Sequence, residues 1–402
     1  MNEVMEKSVC IAGAGPGGAL LGLLLARAGI DVVVLEKSKD FEREFRGESL
    51  SPDARKLLEE IGLKDYMEEH GYLESRYLGL YENNERLMRM DLGEVDMDNH
   101  AIIEFPQPVL LSALINEAKK FPNYDIRMGV SAKELIKEDG KIVGVEVGNT
   151  EQSYTIRTKL VVAADGRYSR LRKMSGLSAN IEPVSRDVSW FMIPRPANWD
   201  PEIKVKLKGD RHMILLPTYP DKIRAGINIP KGKYKEFRNQ GIENLYNFVE
   251  ELEPALGSVV RESVKDWSEL ALLDIFTAEV PQWSLDGFVL MGDSAHTITP
   301  IMGQGIKHAL FDARKLSGVV IECLKNNPDT VIDHHHFLEY QTERKKSVTE
   351  TLRFQKRQER MFLLSGRAKA LGRRTFYRIL NSLSFAKQRI MKKIYYGGIE
   401  AI

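Results

Sequence analysis

Glycines in one short segment have the spacing that dinucleotide binding needs. Residues 13–18 read Gly-Ala-Gly-Pro-Gly-Gly and place glycine at the first, third and sixth positions of a GxGxxG pattern. Gly13 permits a tight turn, Gly15 lets the backbone approach a pyrophosphate, and Gly18 lets a helix pack closely on a strand. A helix that begins at Pro16 would present unpaired N–H groups and a partial positive charge to phosphates.

The flanking residues predict the elements that position this turn. Residues 9–12 indicate a buried strand, residues 16–28 a helix of small and leucine-like side chains, and residues 31–36 (DVVVLE) a second buried strand. This order is the βαβ unit of dinucleotide-binding folds. Glu36, at the end of the second strand, can accept hydrogen bonds from ribose hydroxyls. Both FAD and NAD bind such a unit, so the choice depends on later residues.

Two later segments carry groups that suit a flavin. In LVVAADGRYSRLRK a strand ends at Asp165, and in DGFVLMGDSAH another strand ends at Asp293. Residues 303–305 (Gly-Gln-Gly) then begin a long helix. A carboxylate at a strand end can bind ribityl hydroxyls, and a helix N-terminus beside it can stabilise negative charge on a reduced flavin ring. NAD has neither a ribityl chain nor a flavin ring, so these segments favour FAD.

Together the three segments resemble the class A flavoprotein monooxygenases, the family of para-hydroxybenzoate hydroxylase. The resemblance covers about residues 8–320 and depends on GxGxxG at 13–18, Asp-Gly at 165–166 and Gly-Asp at 292–293. It implies an α/β fold with a Rossmann-type FAD-binding domain, an inserted antiparallel-sheet substrate domain and a helical C-terminal region. The FAD-binding domain is expected to comprise residues 1–72, 100–182 and 276–325. The substrate domain is expected to comprise residues 73–99 and 183–275, and the helical C-terminal region residues 326–402.

The resemblance also implies an activity. In that family NAD(P)H reduces the flavin, O₂ adds to the reduced ring as a C4a-hydroperoxide, and one oxygen atom passes to the substrate. We therefore expect hydroxylation of an aromatic or similarly unsaturated small organic substrate, with FAD as cofactor and NADPH or NADH as co-substrate. The site must be poor in water, because solvent lets the oxygenated flavin collapse to hydrogen peroxide. We expect no metal, since the histidines at 334–336 point to different faces of a predicted helix.

Positions that match the family's motifs take its roles. Asp165 and Arg172 resemble a pair implicated in holding FAD and in nicotinamide use, and Asp293 resembles the residue that binds the ribityl and pyrophosphate portion. Pro300 matches the residue whose backbone carbonyl lies near the reacting edge of the flavin, and it is the one catalytic group implied. The implied cofactor-binding residues are Gly13, Gly15, Pro16, Gly17, Gly18, Glu36, Lys37, Arg46, Gln107, Asp165, Arg172, Asp293, Gly303, Gly305 and Ile306.

Some of these positions have plainer interpretations. Asp165 could serve only as a turn residue that caps local N–H groups, and Arg46 could be one half of a surface ion pair. Lys307 departs from the family, which commonly has Asn after the Gly-Gln-Gly-apolar turn. A contact through the backbone would make this change harmless, whereas a side chain directed at the flavin would alter its electronics.

The remaining pattern predicts a sheet for the substrate and further helices and strands. Residues 185–230 alternate apolar and polar side chains, which is typical of an antiparallel sheet. By alternation, the candidates for the substrate wall are Trp190, Phe191, Met192, Met213, Leu215 and Tyr219. The other predicted helices cover 51–61, 108–121, 233–253 and 304 onward, and the other predicted strands cover 125–128, 132–137, 141–147, 153–158, 159–164, 270–276 and 288–291.

Composition and charge narrow the class of protein. The chain has 402 residues, 43% hydrophobic and 29% charged, which suits two or three packed units of a globular protein. Its polar start does not resemble a secretory signal, and Cys10 and Cys323 are expected to be free thiols, so we expect a cytoplasmic protein without a nucleic-acid partner. Residues 341–393 carry sixteen Lys/Arg against three Glu. This basic helical tail predicts either a cap over the substrate domain or weak adsorption to an anionic membrane.

Three other functions share parts of this pattern. A flavin-dependent halogenase has a WxWxIP signature, but residues 189–194 read Ser-Trp-Phe-Met-Ile-Pro and replace both defining tryptophans. A geranylgeranyl-reductase-like enzyme is suggested by the helical, basic C-terminus, without a match to its substrate-domain signature. A lipid-chaperone protein on the same dinucleotide fold is the non-enzymatic alternative, and the complete Asp-Gly and Gly-Asp motifs disfavour it.

Overall fold

The computed structural model describes residues 4–41, 47–95, 101–148 and 153–397. Arg46, one of the expected cofactor ligands, lies outside the described residues. In chain order the strands are β1 (Val4–Ala12), β2 (Val32–Glu36), β3 (Ser49–Leu50), β4 (Leu73–Ser75), β5 (Tyr77–Glu82), β6 (Glu85–Asp91), β7 (Ile102–Glu104), β8 (Tyr124–Met128), β9 (Ser131–Glu138), β10 (Lys141–Gly148), β11 (Ser153–Ala163), β12 (Asn180–Pro183), β13 (Arg186–Pro194), β14 (Ile203–Lys208), β15 (Arg211–Thr218), β16 (Lys222–Pro230), β17 (Ala271–Leu273), β18 (Phe276–Glu279), β19 (Ser284–Leu285), β20 (Phe288–Leu290) and β21 (His296–Thr297).

Helices lie between these strands and after them. The α-helices are α1 (Pro16–Arg27), α2 (Pro52–Glu60), α3 (Lys64–His70), α4 (Gln107–Ala118), α5 (Arg170–Ser175), α6 (Tyr234–Asn239), α7 (Ile242–Leu252), α8 (Gly257–Ser263), α9 (Gly305–Asn326), α10 (Leu338–Phe362), α11 (Arg367–Ser382) and α12 (Ser384–Tyr395). Short 3₁₀ helices span Leu92–Glu94, Pro254–Leu256, Trp267–Glu269, Gly292–Ser294, Ile301–Gly303 and His334–Phe337.

The first large sheet has a parallel centre. Strands β20, β11, β1, β2 and β8 run parallel in that spatial order, and β19, β10 and β9 are antiparallel additions. All five residues of Val32–Glu36 are buried, as expected where helices cover both faces of a parallel sheet. Helix α1 covers one face closely, because a methyl group on Gly22 would lie 2.8 Å from Val34 Cγ2. The predicted βαβ unit is therefore confirmed.

The second large sheet has seven strands in the order β17-β13-β16-β15-β14-β5-β6. It is antiparallel apart from the parallel pair of β14 and β5. One face packs on α7 and α8 through a cluster that includes Phe191 and Met213, and the other packs on α11 and α12 through a cluster that includes Trp190 and Tyr377. The predicted combination of a Rossmann-type fold, an antiparallel sheet and a helical C-terminal region is confirmed.

Three local predictions were wrong. Residues 153–158 and 159–164 are one strand rather than two, because β1 continues back to Val4 and pairs with β11 along nearly its whole length. The single strand predicted for 270–276 is two strands in different sheets, since β17 pairs with β13 whereas β18 pairs with β12 and β21. The helix predicted for 233–253 is divided into α6 and α7 by Gly241.

The C-terminal helices pack back onto both sheets. Helix α10 lies against α9, and α11 and α12 lie against the seven-stranded sheet. Among the described residues, no helix combines the length and the apolar character that crossing a bilayer would need.

Candidate functional site

The three motifs follow neighbouring parallel strands. Gly13 follows β1, Asp165 follows β11 and Asp293 follows β20, and these strands are adjacent in the sheet. Because the carboxyl ends of parallel strands meet at one edge, the motifs lie together at the usual ligand-binding edge of this fold. Glu36 ends β2 at the same edge.

Contacts at the glycines show how close the motifs are. Gly13 has a φ of +111°, and a methyl group there would lie 2.3 Å from the Ala164 carbonyl oxygen and 3.2 Å from Asp165 Cα. A methyl group on Gly17 would lie 2.9 Å from Met291 Cε, just before the Gly-Asp motif. The turn therefore lies against the strand ends that carry the other two motifs.

Gly15 and Gly18 have opposite surroundings. A methyl group on Gly18 would lie 1.9 Å from the Gly13 carbonyl oxygen, so helix and turn fit only without a side chain. No described atom lies within 4 Å of the Cβ position of Gly15. Open backbone at the N-terminus of α1 fits the approach of a pyrophosphate.

Glu36 holds the turn and also faces its cavity. The side chain is buried, and its Oε2 accepts a hydrogen bond from the Ala14 N–H at 3.1 Å while Oε1 accepts one from the Ser38 N–H at 2.9 Å. A carboxylate has about four lone-pair sites, so further hydrogen bonds from ribose hydroxyls fit. Lys37, the next residue, is exposed.

One cavity connects the dinucleotide turn with the seven-stranded sheet. Together with its opening to solvent it has a volume of about 660 Å³. Asp165, Asp293 and Gly303 are not among the residues that line it. Its wall is formed by Ala14, Gly15, Glu36, Phe41, Glu48, Gln107, Pro108, Leu111, Met192 and Arg224. Within this wall the Gln107 amide donates to the Gly47 carbonyl at 3.2 Å.

The two carboxylate oxygens of Asp165 have different surroundings. Oδ2 accepts hydrogen bonds from the N–H groups of Arg170 and Leu171 at 2.8 and 3.0 Å, which caps α5. Oδ1 is buried and has no hydrogen-bond partner among the described residues. Buried acceptors without a partner are rare in proteins, so this oxygen beside Gly13 fits a donor on a bound ligand. It is the observation that most directly fits FAD to the site.

Arg172 links the Asp-Gly and Gly-Asp motifs. Its guanidinium is buried and donates to the Ser294 carbonyl at 2.7 Å. Burial lowers the pKa of this guanidinium, and the charge of Asp165 offsets part of that effect. Arg172 thus fixes the backbone next to Asp293, which is half-buried.

The segment around Pro300 lies against β3 and its approach. A methyl group on Gly303 would lie 3.4 Å from Ser49 Cβ, and one on Gly47 would lie 3.8 Å from Ile306 Cδ1. The Pro300 carbonyl accepts a hydrogen bond from the Gly303 N–H at 3.1 Å, within its own turn. Gly305 begins α9, so the helix N-terminus adjoins this segment as the motif predicts.

Sequence reasoning missed Gln355, which holds this segment from α10. The side chain is 1% exposed, its Oε1 accepts from the Thr299 N–H at 3.1 Å, and its Nε2 donates to the Thr299 and Ile301 carbonyls at 2.9 and 2.8 Å. The residues on both sides of Pro300 are thus fixed by one side chain. A glutamine in a charged helix gives no sequence signal for this role.

A buried charge network behind the Gly-Asp motif was also missed. Asp312, on α9, is fully buried and accepts hydrogen bonds from the Gly292 N–H at 2.8 Å and from Arg344 Nε at 2.6 Å; His296 Nε2 lies 2.7 Å away. Burial favours a raised pKa for Asp312, but His296 and Arg344 outweigh it and hold the pKa below its usual range. An aspartate inside the apolar run HALFDA was the available signal.

Lys307 is directed at protein groups. Its Nζ lies 2.6 Å from Asp53 Oδ2 and donates to the Ile394 carbonyl of α12 at 2.6 Å. Burial lowers the pKa of this ammonium, and Asp53 offsets part of the effect. The residue therefore joins the N-terminus of α9 to α2 and to the C-terminal helices.

The predicted wall residues divide by strand alternation. Met192 is 37% exposed and lines the cavity, and Trp190 is buried on the same face of β13. Phe191, Met213 and Leu215 belong to the core on the opposite face. Tyr219 is 39% exposed at the end of β15 and contacts Gly71.

Two acids, one fully buried and one partly exposed, face Arg224 at the cavity wall. Glu104 is fully buried, accepts a hydrogen bond from the Ser49 hydroxyl at 2.6 Å and pairs with Arg224 at 3.0 Å. Glu48 pairs with the same guanidinium at 3.4 Å. Burial raises the pKa of Glu104 from 4.5 to about 7, although Arg224 opposes the shift.

This shift predicts a pH-dependent stability. Between pH 4.5 and about 7 the folded Glu104 keeps a proton that the unfolded chain releases. The stabilisation is therefore complete below pH 4.5 and is lost as the pH rises through about 7. At about 1.4 kcal/mol per pKa unit, the unfolding free energy of the wild type should fall by roughly 3 kcal/mol over this pH range because of Glu104. Glu104→Gln should not show this part of the fall.

Denaturant unfolding at a series of pH values measures the effect. Glu74→Gln is the control, because Glu74 has a half-exposed side chain and should keep the wild-type slope. Equal pH slopes for Glu104→Gln and the wild type would contradict the prediction.

One group of possible metal ligands lies elsewhere. Asp286, Asp333 and His334 bring ligand atoms within 4.8 Å of one another at the surface. His334 Nδ1 already lies 2.8 Å from Asp286 and 3.2 Å from Asp333, so the imidazole has carboxylate partners within the protein.

Comparison with known proteins shows the family. The sequence pattern of the FAD-binding domain family matches residues 6–355, and the chain belongs to this family. It is 30% identical to 6-methylpretetramide 4-monooxygenase of Streptomyces rimosus, across 97% of this chain and 92% of that protein. It is 23% identical to a digeranylgeranylglycerophospholipid reductase of Methanosarcina acetivorans, across 77% of this chain and 74% of that one.

Solved structures show the same fold. The p-nitrophenol 4-monooxygenase of Pseudomonas putida superposes with a TM-score of 0.84 at 20% identity, and covers 98% of this chain and 99% of its own. The fold, the converging motifs and the family define a class A flavoprotein monooxygenase. The protein is an FAD-dependent oxidoreductase.

Proposed function

We propose that this enzyme hydroxylates an aromatic small molecule that bears acidic or carbonyl oxygens. The cavity that extends from Gly15 to Met192 and Arg224 is the observation that carries the proposal. Arg224, whose guanidinium pairs with Glu104 and Glu48, supplies N–H donors at the far wall, and Met192 supplies an apolar surface. The aromatic substrates named for 6-methylpretetramide 4-monooxygenase and p-nitrophenol 4-monooxygenase support this class.

We assign the cofactor contacts as part of this proposal. The turn of residues 13–18, with Gly13, Gly15, Pro16, Gly17 and Gly18, would hold the pyrophosphate. Glu36 and Lys37 would hold the AMP half, Arg46 the pyrophosphate region, and Asp293 the ribityl and pyrophosphate portion. Gln107, Asp165 and Arg172 would add contacts to the cofactor. Gly303, Gly305 and Ile306 would lie along the flavin ring. When bound, FAD supplies electron transfer and oxygen activation. Residues 1–72, 100–182 and 276–325 would hold it, and residues 73–99 and 183–275 would bind substrate.

The chain's own contribution is positioning and exclusion of water. Gln355 and the Pro300 turn fix the backbone that would border the flavin. Trp190, buried on the same face of β13 as Met192, would help to keep solvent from the reacting edge. O₂ and NADH or NADPH would be consumed. We also propose a cytoplasmic location, which the two free cysteines support.

Two enzyme alternatives and one non-enzymatic alternative are weaker. Ser189 and Phe191 stand where a halogenase has its defining tryptophans. The reductase relative is less similar than the monooxygenase relative, at 23% against 30% identity. The buried Asp165 Oδ1, which has no hydrogen-bond partner among the described residues, fits a bound cofactor and so disfavours a lipid chaperone.

The experiment is flavin binding followed by turnover. Purified protein should be yellow, and NADH or NADPH oxidation with O₂ uptake should accelerate when an aromatic substrate is added. Product must contain one oxygen atom from ¹⁸O₂. A colourless protein that cannot take up FAD would overturn the proposal, and chlorinated or hydrogenated product would favour the alternatives.

Gly18→Ala should weaken FAD binding by at least roughly tenfold, or ~1.4 kcal/mol. Its methyl group would meet the Gly13 carbonyl at 1.9 Å and displace the turn. Gly372→Ala is the matched control, because that glycine lies in an exposed helix with no described atom near its Cβ position. Equal FAD affinities in the two variants, measured by flavin fluorescence titration, would count against the assignment.

A further inference from the structure

The outer side of α11 exposes large apolar side chains to solvent. Leu371 is 62% exposed and Ile379 is 55% exposed, and the strip continues past the helix end to Leu383 and Phe385, at 51% and 76%. Phe376 adds a further 39%-exposed ring. Ile379 is three residues after Phe376 and eight after Leu371, so these three side chains lie within one half of the circumference of α11. Leu383 and Phe385 follow at the junction with α12, and the five residues are here called the outer strip.

The inner side of the same helix fixes this orientation. Arg373 is fully buried and donates to Glu82 at 2.8 Å, and Tyr377 is buried and donates to Gln358 at 2.9 Å. The helix therefore already covers the seven-stranded sheet with one face. Its outer strip is not required for that packing, and no described residue covers it.

The segment that carries the outer strip has charge of one sign, although Glu82, Glu85 and Glu350 of other elements pair with Arg374, Arg378 and Lys393. Residues 361–397 contain nine Lys/Arg and no Asp or Glu. Arg367, Lys369 and Arg389 are exposed near the strip. Two copies of this surface would bring like charges together, which disfavours self-association. A surface that is anionic and has an apolar layer beneath it matches both features.

We propose that the outer strip docks in the plane of an anionic phospholipid membrane. Leu371, Ile379 and Phe385 enter the boundary between headgroups and acyl chains, and the neighbouring cations contact lipid phosphates. The association is peripheral and does not depend on the hydroxylation proposed above. A lipid surface explains the apolar strip and the charge together, whereas a soluble acidic partner explains only the charge.

Vesicle co-sedimentation of the full-length, FAD-loaded protein tests this. The protein should bind vesicles of phosphatidylcholine with phosphatidylglycerol, bind pure phosphatidylcholine weakly, and lose binding as salt rises. Leu371→Ser/Ile379→Ser/Phe385→Ser should reduce the partition by at least roughly tenfold. Arg367→Glu/Lys369→Glu should remove the preference for anionic lipid.

The matched control removes apolar surface elsewhere. Ile181→Ser/Leu272→Ser changes two side chains that are 59% and 44% exposed and lie on other elements. This control should sediment like the wild type, and all variants should keep the flavin spectrum. Binding that ignores anionic lipid, or that the triple serine variant leaves unchanged, would overturn the proposal. So would self-association that the triple variant abolishes without any vesicle binding by the wild type.

Discussion

Gln355→Leu is expected to uncouple the enzyme, so that NAD(P)H is oxidised with release of hydrogen peroxide in place of hydroxylated product. The substitution keeps the approximate shape of the side chain and removes three hydrogen bonds: one that Gln355 accepts from the Thr299 N–H and two that it donates to the Thr299 and Ile301 carbonyls. Each buried backbone group left without a partner costs about 1–3 kcal/mol. The turn that contains Pro300 should relax to recover those bonds elsewhere.

A shift of this turn affects chemistry more than folding. Helix α10 keeps its other anchors, which include Arg344 on Asp312 and the buried Val348 and Leu352. Misplacement of a reacting group by about 1 Å can reduce a rate by about 10²-fold. We therefore expect a fall of about that size in product formation, while the rate of NAD(P)H oxidation changes less.

Two variants on the same helix separate positioning from general damage. Gln355→Glu keeps an acceptor for the Thr299 N–H but turns a carboxylate toward two carbonyls, so it should not rescue coupling. Gln358→Leu removes a hydrogen bond to Tyr377 and leaves the turn untouched, so it should stay coupled. The measurement is hydrogen peroxide and product per NAD(P)H, with the flavin spectrum as a check on binding. Wild-type coupling in Gln355→Leu, or equal loss in Gln358→Leu, would refute the role.

The contrast between Gln355 and the glycine turn shows what the sequence could predict. Gly13, Gly15 and Gly18 act on backbone within a few residues, so their spacing alone indicates their function. The strand ends at Asp165 and Asp293 are also local signals, because each follows a short buried run. These features defined the fold class and the cofactor.

Long-range partners could not be predicted in the same way. Gln355 contacts residues more than fifty positions earlier, and nothing in the sequence around it indicates which backbone groups it would meet. The prediction of two strands in place of β11 was wrong for a related reason, because the length of β11 depends on its pairing with residues near the N-terminus. Wall residues such as Phe191 and Met192 alternate correctly, but alternation does not say which face borders the cavity.

Lys307→Asn, which installs the residue common in the family, is expected to destabilise the fold and leave the flavin spectrum unchanged. The Lys307 ammonium neutralises Asp53, whose side chain is 0% exposed, at 2.6 Å. Asparagine is too short to replace that charge at the same place. Removing one partner of a buried ion pair costs about 3–5 kcal/mol, because the other charge stays buried without compensation.

The variant also loses the hydrogen bond from Lys307 to the Ile394 carbonyl, so α12 should loosen against α9. Asp53→Asn/Lys307→Asn removes the stranded charge and should recover most of the lost stability. The coupling energy from a double-mutant cycle, measured by denaturant unfolding, is therefore expected to be large.

Two placements of the Lys307 side chain, against Asp53 or against the flavin ring, predict opposite results. If its ammonium binds Asp53, the unfolding free energy falls and the absorbance and potential of the bound flavin stay as in the wild type. If the side chain instead faces the ring, Lys307→Asn shifts the flavin potential and hardly changes stability, because Asp53 would not have depended on it. The 2.6 Å contact with Asp53 favours the first outcome. Lys307 then replaces the family's Asn because its side chain connects α9 with α2 and with the C-terminal helices.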